Sequence, residues 1–277
     1  MSIWDVLNQL GIQPKKSLGQ NFMVEPNALR RMAEAAQVGP DDAVLEIGAG
    51  LGALTDVLAE QARRVVAIEV DDRFVPFLRS RYTRLPHVEI VRADILDADP
   101  AELMGEDAGQ YKVVANVPYY ITSAILRHLL ESGAPPSLIV MTVQREVAER
   151  IIAQPGSMSL LAVSVQYYGK PSLVTRLSAA NFYPRPDVES AIVRVEPHKA
   201  GPPLPPEEAE PFFRVVRAGF SQPRKQIKNS LAAGLHTDPA RATAWLEAAG
   251  IDPRRRPETL SLDEWLAIYH QSSGAAL

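Results

Sequence analysis

From Ala43 onward, short apolar runs alternate with segments whose apolar residues recur every three or four positions. The first pattern marks buried strands and the second amphipathic helices. Strands are predicted at 43–47, 64–69, 88–92, 112–115, 138–143, 160–168 and 190–196, and helices at 53–62, 73–83, 123–130 and 145–153. Upstream, a short helix is predicted over 2–10, ended by Gly11 and Pro14, and a second opens at Pro26 and stops before Gly39-Pro40. Strand alternating with helix predicts an α/β fold with a mostly parallel sheet and right-handed crossovers. The last two strands have no helix between them and are expected to form an antiparallel pair, so seven strands with one reversed is the predicted sheet.

Six prolines fall between Pro197 and Pro211 (Pro197, Pro202, Pro203, Pro205, Pro206, Pro211), which reads as a linker. Beyond it the pattern is all helical, with helices expected at 211–220, 222–235 and 239–249, and a last one opened by the capping-box form Ser261-Leu262-Asp263-Glu264. The predicted division is residues 1–200, an α/β domain, and 201–277, a small all-helical domain.

With 277 residues, 46% of them hydrophobic, the chain can bury one large core and a small second one. No stretch approaches the roughly 18 apolar residues of a membrane span, and the first residues lack a signal-peptide pattern. With no cysteine, disulfides and thiolate chemistry are excluded, which suits a cytoplasmic location. The net charge of −4 offers no global polycation, but its distribution is uneven. Between Phe212 and Arg256 nine Lys or Arg face three acids, a local +6 that leaves −10 elsewhere and points to an anionic partner near the C-terminal part. Solvated helix faces explain the count equally well.

The candidate chemistry centres on Val44-Leu45-Glu46-Ile47-Gly48-Ala49-Gly50-Leu51-Gly52, an apolar strand that breaks into a glycine turn before a helix. Such a turn lets backbone approach a cofactor at the carboxyl edge of a sheet, and Gly48, Gly50 and Ala53 satisfy G-x-G-x-x-G/A. Glu69 closes the next strand, where a carboxylate can accept both hydrogens of a ribose diol. Nicotinamide cofactors and S-adenosylmethionine share these features. Asp94, placed to accept from an adenine amine, and Asn116-Val117-Pro118-Tyr119 follow the third and fourth strands and favour S-adenosylmethionine. The Asn116 side-chain oxygen and the Pro118 carbonyl can both accept from a nucleobase amine, aiming its lone pair at a donor methyl, while Tyr119 stacks on the base for roughly 1–3 kcal/mol. A methylated amine still bearing its protons is strongly acidic, so a carbonyl acceptor followed by water suffices and no histidine is assigned as base. The five histidines show no ligand spacing, and no metal is expected.

At Gly19-Gln20-Asn21-Phe22, Glu46-Ile47-Gly48-Ala49-Gly50, Asn116-Val117-Pro118-Tyr119, Gln144-Arg145-Glu146-Val147 and Phe182-Tyr183-Pro184-Arg185-Pro186-Asp187-Val188-Glu189-Ser190, the chain resembles the rRNA adenine N6,N6-dimethyltransferases. The branch it is most similar to is the bacterial enzyme that dimethylates two adjacent adenosines in the 3′-terminal hairpin of small-subunit (16S) rRNA. The resemblance runs from about Lys15 to Glu258. It implies a Rossmann-like class I methyltransferase sheet, S-adenosyl-L-methionine as cofactor, and a role in ribosome biogenesis with rRNA and the assembling small subunit as partners; the chain is expected to act as a monomer. It also implies cofactor contacts from Asn21 and Met23 beside Gly48, Gly50, Glu69, Asp94 and Asn116, and stacking of Phe182 on a flipped adenine opposite Tyr119. Without the family, Phe182 reads as a hydrophobic plug before a proline-rich turn. Tyr120 stands where the family often has asparagine, Val117 where it has leucine, and Met23 where leucine is usual. Lys15 and Lys16 are candidate RNA contacts, as are Arg224, Lys225 and Lys228, expected within about a turn of each other on one helix and facing phosphates.

Two other readings compete. An NAD-dependent oxidoreductase fits the glycine turn alone and is disfavoured by the Asn116–Tyr119 turn and the basic helical region. An RNA-binding assembly factor without catalysis fits the basic region and leaves the Asn116 motif unexplained.

Overall fold

The computed structural model describes residues 3–14 and 19–273. Nine strands occur in chain order among them: β1 (Phe22–Met23), β2 (Ala43–Ile47), β3 (Arg64–Glu69), β4 (Val88–Arg92), β5 (Lys112–Ala115), β6 (Leu138–Gln144), β7 (Gly169–Leu177), β8 (Phe182–Tyr183) and β9 (Ser190–Pro197). Seven form one sheet in the order β4-β3-β2-β5-β6-β9-β7, while β1 and β8 make a separate two-residue ladder. The pairs β3/β4, β2/β3, β2/β5 and β5/β6 are parallel, and β9 runs antiparallel to β6. Strands β2, β5 and β6 are apolar and buried along nearly their whole length, as a sheet covered on both faces requires.

The sheet therefore has the expected strand number and single reversal, but one strand was misplaced. Residues Leu160–Tyr168 form a helix, and the strand is Gly169–Leu177. The helix begins at Ser159, whose side chain accepts from the Ala162 N–H at 3.2 Å, and it buries Ala162, Val163, Val165 and Tyr167. Burial on several sides hid the helical period. The strand escaped notice because most of its side chains are at least partly exposed and it carries Pro171, a residue tolerated at the edge position β7 occupies.

The chain divides into two compact units, residues 1–148 with 170–197, and 149–169 with 198–277. The boundary expected at residue 200 is close to the second crossing, but the segment 149–169 belongs to the helical unit. The proline-rich stretch is also shorter as a linker than expected. Pro206 opens a helix running to Phe220 that takes Pro211 within it. In the helical unit, Tyr167 stacks on Phe212 at 5.0 Å between ring centroids, and Phe220 packs on buried Trp265 at 5.3 Å. The core of the α/β unit continues up to the glycine turn through Ala49, Leu51 and Leu54.

Candidate active site

Strand β2 ends at Ile47 and the backbone turns sharply: the Gly48 and Ala49 N–H groups both donate to the Ile68 carbonyl, at 3.0 and 3.1 Å. Gly48 has φ +81°, and a Cβ placed there would lie 3.0 Å from the Asn116 carbonyl oxygen. Only glycine gives both the conformation and the clearance. Parallel pairing of β2 with β3 and β5 brings three carboxyl ends side by side around a cavity of about 210 Å³. Its lining includes Asn21, Met23, Gly48, Gly50, Glu69, Asp94, Asn116 and Pro118. All the residues expected at the cofactor site are thus brought together.

Glu69 is held by backbone. Its Oε2 accepts from the Gly50 N–H at 2.7 Å and its Oε1 from the Asp71 N–H at 2.8 Å. Burial raises its pKa while those two N–H groups oppose the rise. Each oxygen keeps a lone pair for a ligand hydroxyl. Asp94 is exposed, and its Oδ1 accepts from the Leu96 N–H at 3.0 Å, which fixes the turn after β4.

Asn116 follows β5, and both ends of its amide are engaged. Its Oδ1 accepts from the Thr142 hydroxyl at 2.7 Å, and its Nδ2 donates to the Asn21 carbonyl at 3.3 Å. The Asn21 loop is secured in turn by the Asn21 amide donating to the Gly19 carbonyl at 3.0 Å, by Gln20 donating to Asp71 at 2.8 Å, and by Phe22 packed edge-on to Phe74 at 5.7 Å. The hydrogen bonds from Arg73 and Gln20 hold the Asp71 carboxyl well below the usual carboxylate range. Sequence reasoning missed Gln20, Asp71 and Thr142 as parts of this site, because each acts through a partner remote in the chain.

The two tyrosines after Pro118 differ. Tyr119 is half-buried, shares a hydrogen bond with the Ser190 hydroxyl at 2.5 Å, and has its phenol pKa raised by burial. Tyr120 is 69% exposed and lines the cavity.

Phe182, expected to stack on a flipped base, is a core residue in this structure. It is 2% exposed, packed in the core, paired with Met23 across the β1/β8 ladder, and absent from the cavity lining. This packing is that of a hydrophobic plug before the proline-rich turn. The basic cluster also changes shape. The helix begins at Ile227, so Arg224 and Lys225 lie exposed in the preceding turn and only Lys228 is helical. Lys15 and Lys16 lie outside the described residues. Among the described residues no helix is long and apolar enough to cross a membrane, and no cluster of His, Asp and Glu could hold a metal ion.

Residues 11–272 match the family described as Ribosomal RNA adenine dimethylase. Proteins named Ribosomal RNA small subunit methyltransferase A are similar over nearly the whole chain. That of Dehalococcoides mccartyi is 45% identical, covering 92% of this chain and 87% of its own, and that of Moorella thermoacetica is 43% identical, covering 95% and 94%. Among solved structures, the 23S rRNA methyltransferase ErmE superposes with a TM-score of 0.73 at 31% identity, covering 91% of this chain and 99% of its own. A dimethyladenosine transferase from Plasmodium falciparum shares the fold, with a TM-score of 0.76 at 22% identity over 92% and 98% of the two chains.

Proposed function

The chain belongs to the ribosomal RNA adenine dimethylase family, and on that premise we propose that it transfers methyl groups from S-adenosylmethionine to the N6 amines of two adjacent adenosines in the 3′-terminal hairpin of small-subunit (16S) rRNA. The observation that carries the reading is that Asn116, Val117 and Pro118 line the same cavity as the glycine turn, with Tyr119 next in the chain and outside the lining. The residues fit S-adenosylmethionine: bare backbone at Gly48, a buried carboxylate at the end of β3 for ribose hydroxyls, and an exposed carboxylate after β4 for an adenine amine. When bound, this cofactor supplies an electrophilic methyl group on a positively charged sulfur.

The chain's own residues prepare the acceptor. A base amine is a poor nucleophile because its lone pair is delocalised into the ring. Asn116 Oδ1 and the Pro118 carbonyl accept its two hydrogens and draw the nitrogen toward tetrahedral geometry, which frees the lone pair. Much of the rate then comes from orientation. The proton lost on methylation passes to the Pro118 carbonyl and on to water. Tyr119, held through Ser190, stacks on the flipped base. Arg224, Lys225 and Lys228, with Lys15 and Lys16, contact phosphates and fix the RNA's position. The reaction belongs to ribosome biogenesis in the cytoplasm, on the assembling small subunit, by a monomer.

Labelled S-adenosylmethionine incubated with unmodified small subunits, followed by mapping of the labelled nucleotides, tests the reading. Label on two adjacent adenosines near the 3′ end is expected, and it is lost with Asn116→Ala while S-adenosylhomocysteine still binds. Label elsewhere, or an Asn116→Ala protein turning over normally, refutes it.

A further inference from the structure

We propose that Thr142 is a positioning residue for methyl transfer: its hydroxyl anchors the Asn116 amide oxygen in the place from which that oxygen meets the substrate amine. The inference rests on the reading of Asn116 given above. Strands β5 and β6 pair in parallel up to Ala115↔Met141, so the next residues along the two strands, Asn116 and Thr142, fall side by side, Asn116 lining the cavity and Thr142 behind it in the sheet. Thr142 is itself locked by antiparallel pairing with Ile192 on its other side, and it is 0% exposed. Its hydroxyl lies 2.7 Å from Asn116 Oδ1, a short hydrogen bond from a central strand to the end of the amide that does the chemistry.

The two ends of an asparagine amide have nearly the same shape and opposite polarity. Turned around, Asn116 would offer the substrate amine a donor where an acceptor is needed. The Asn21 carbonyl selects the working orientation, and the Thr142 hydroxyl, which can donate or accept, anchors the oxygen end in place. The Asn21 carbonyl can only accept, so it takes the Nδ2 end, at 3.3 Å. The Thr142 hydroxyl donates to the Oδ1 end, satisfying one lone pair and leaving the other for the substrate. The Asn21 bond is the longer of the two and comes from a loop, whereas Thr142 sits in the ladder of the sheet. Without the hydroxyl, Oδ1 faces a buried position with no donor, and the amide keeps only its loop partner.

The test compares Thr142→Val, which replaces the hydroxyl by a methyl of similar size in a strand that favours β-branched residues, with Thr142→Ser, which keeps the hydroxyl, and with Asn116→Ala. Thr142→Val is expected to lower kcat roughly 10- to 100-fold, the scale of a misplaced reacting group, while KM for the small subunit, S-adenosylhomocysteine affinity and Tm stay within about twofold or a few degrees. Thr142→Ser is expected to recover turnover to within roughly threefold of the parent. If Thr142→Val does not fold, Thr142→Ala carries the same expectation. A valine variant turning over at the parent rate beside an inactive Asn116→Ala overturns the proposal while sparing the role of Asn116. So does a loss of turnover matched by lost cofactor affinity, or one that serine fails to rescue. Normal turnover by Asn116→Ala instead defeats the reading on which the proposal stands.

Discussion

Replacing Glu46 by glutamine should remove much of the pH dependence of folding between pH 5 and 8. Glu46 sits on β2 with Ala67 and Val114 beside it on the flanking strands, and it is 0% exposed. Neither carboxylate oxygen closes a hydrogen bond of good geometry. Burial is the main cause of a pKa pushed up from 4.5 to about 8, with Thr55 opposing the rise and the charges of Glu69 and Asp56 adding to it. The folded protein therefore keeps this proton up to about pH 8, while the unfolded chain releases it near 4.5. Between those values the folded state binds the extra proton, so stability is greatest below 4.5 and drains away as pH rises toward 8. The slope from this one group is about 1.4 kcal/mol per pH unit, with a ceiling of about 5 kcal/mol across the window. Glutamine has nearly the shape of the protonated acid and does not titrate. Urea unfolding of both proteins at pH 5, 6, 7 and 8 should show the glutamine protein gaining on the parent by about 1 kcal/mol per unit. Glu69, also raised by burial, contributes with the same sign to both proteins and largely cancels. A stability difference that stays flat from pH 5 to 8 would mean that Glu46 is solvated or partnered, and the argument fails.

Three further outcomes are expected. Gly48→Ala forces an L-residue to φ +81° and puts a methyl 3.0 Å from the Asn116 carbonyl; S-adenosylhomocysteine affinity by calorimetry should fall at least roughly tenfold, in keeping with a backbone cost of about 1–2 kcal/mol, and unchanged affinity would contradict the cradle. Changing Arg224, Lys225 and Lys228 together to glutamine should weaken RNA binding and flatten its salt dependence by up to about 0.9 in log–log slope for each phosphate no longer neutralised; an unaltered slope returns these residues to solvated surface. Tyr119→Phe keeps the ring and removes the hydroxyl shared with Ser190, so RNA affinity should hold while Tyr119→Ala loses roughly 1–3 kcal/mol of it; equal binding by both variants argues against stacking.

The parallel strands at the centre of the sheet were legible because they are short, apolar and buried on both faces, so the hydrophobic run and the strand coincide. The misreadings occurred where burial stopped tracking one element. Leu160–Tyr168 looks like a strand because it is apolar on more than one side, and it is a helix because Ser159 caps it and Tyr167 is needed against Phe212 in the second core. The capping serine was the available signal. Gly169–Leu177, by contrast, is a strand held mainly by its place in the sheet, with little of its own surface to bury.

The site divides the same way. Gly48, Glu69, Asp94 and Asn116 lie at or just past strand ends, and parallel strands in register deliver strand ends to one edge whatever the loops between them do. Position along the strand was enough to find them. What the sequence cannot display is orientation, because it is set by pairings between residues far apart in the chain. Thr142 lies 26 positions from Asn116, and Gln20 lies 51 from Asp71. Phe182 is the converse case: its motif is recognisable in the sequence, and its burial beside Met23 is visible only in the structure. Tyr120 is the exposed aromatic in the cavity lining. In this fold the strand ends determine which groups line the cavity. The partners of those groups determine which way each one faces, and only the geometry makes those partners visible.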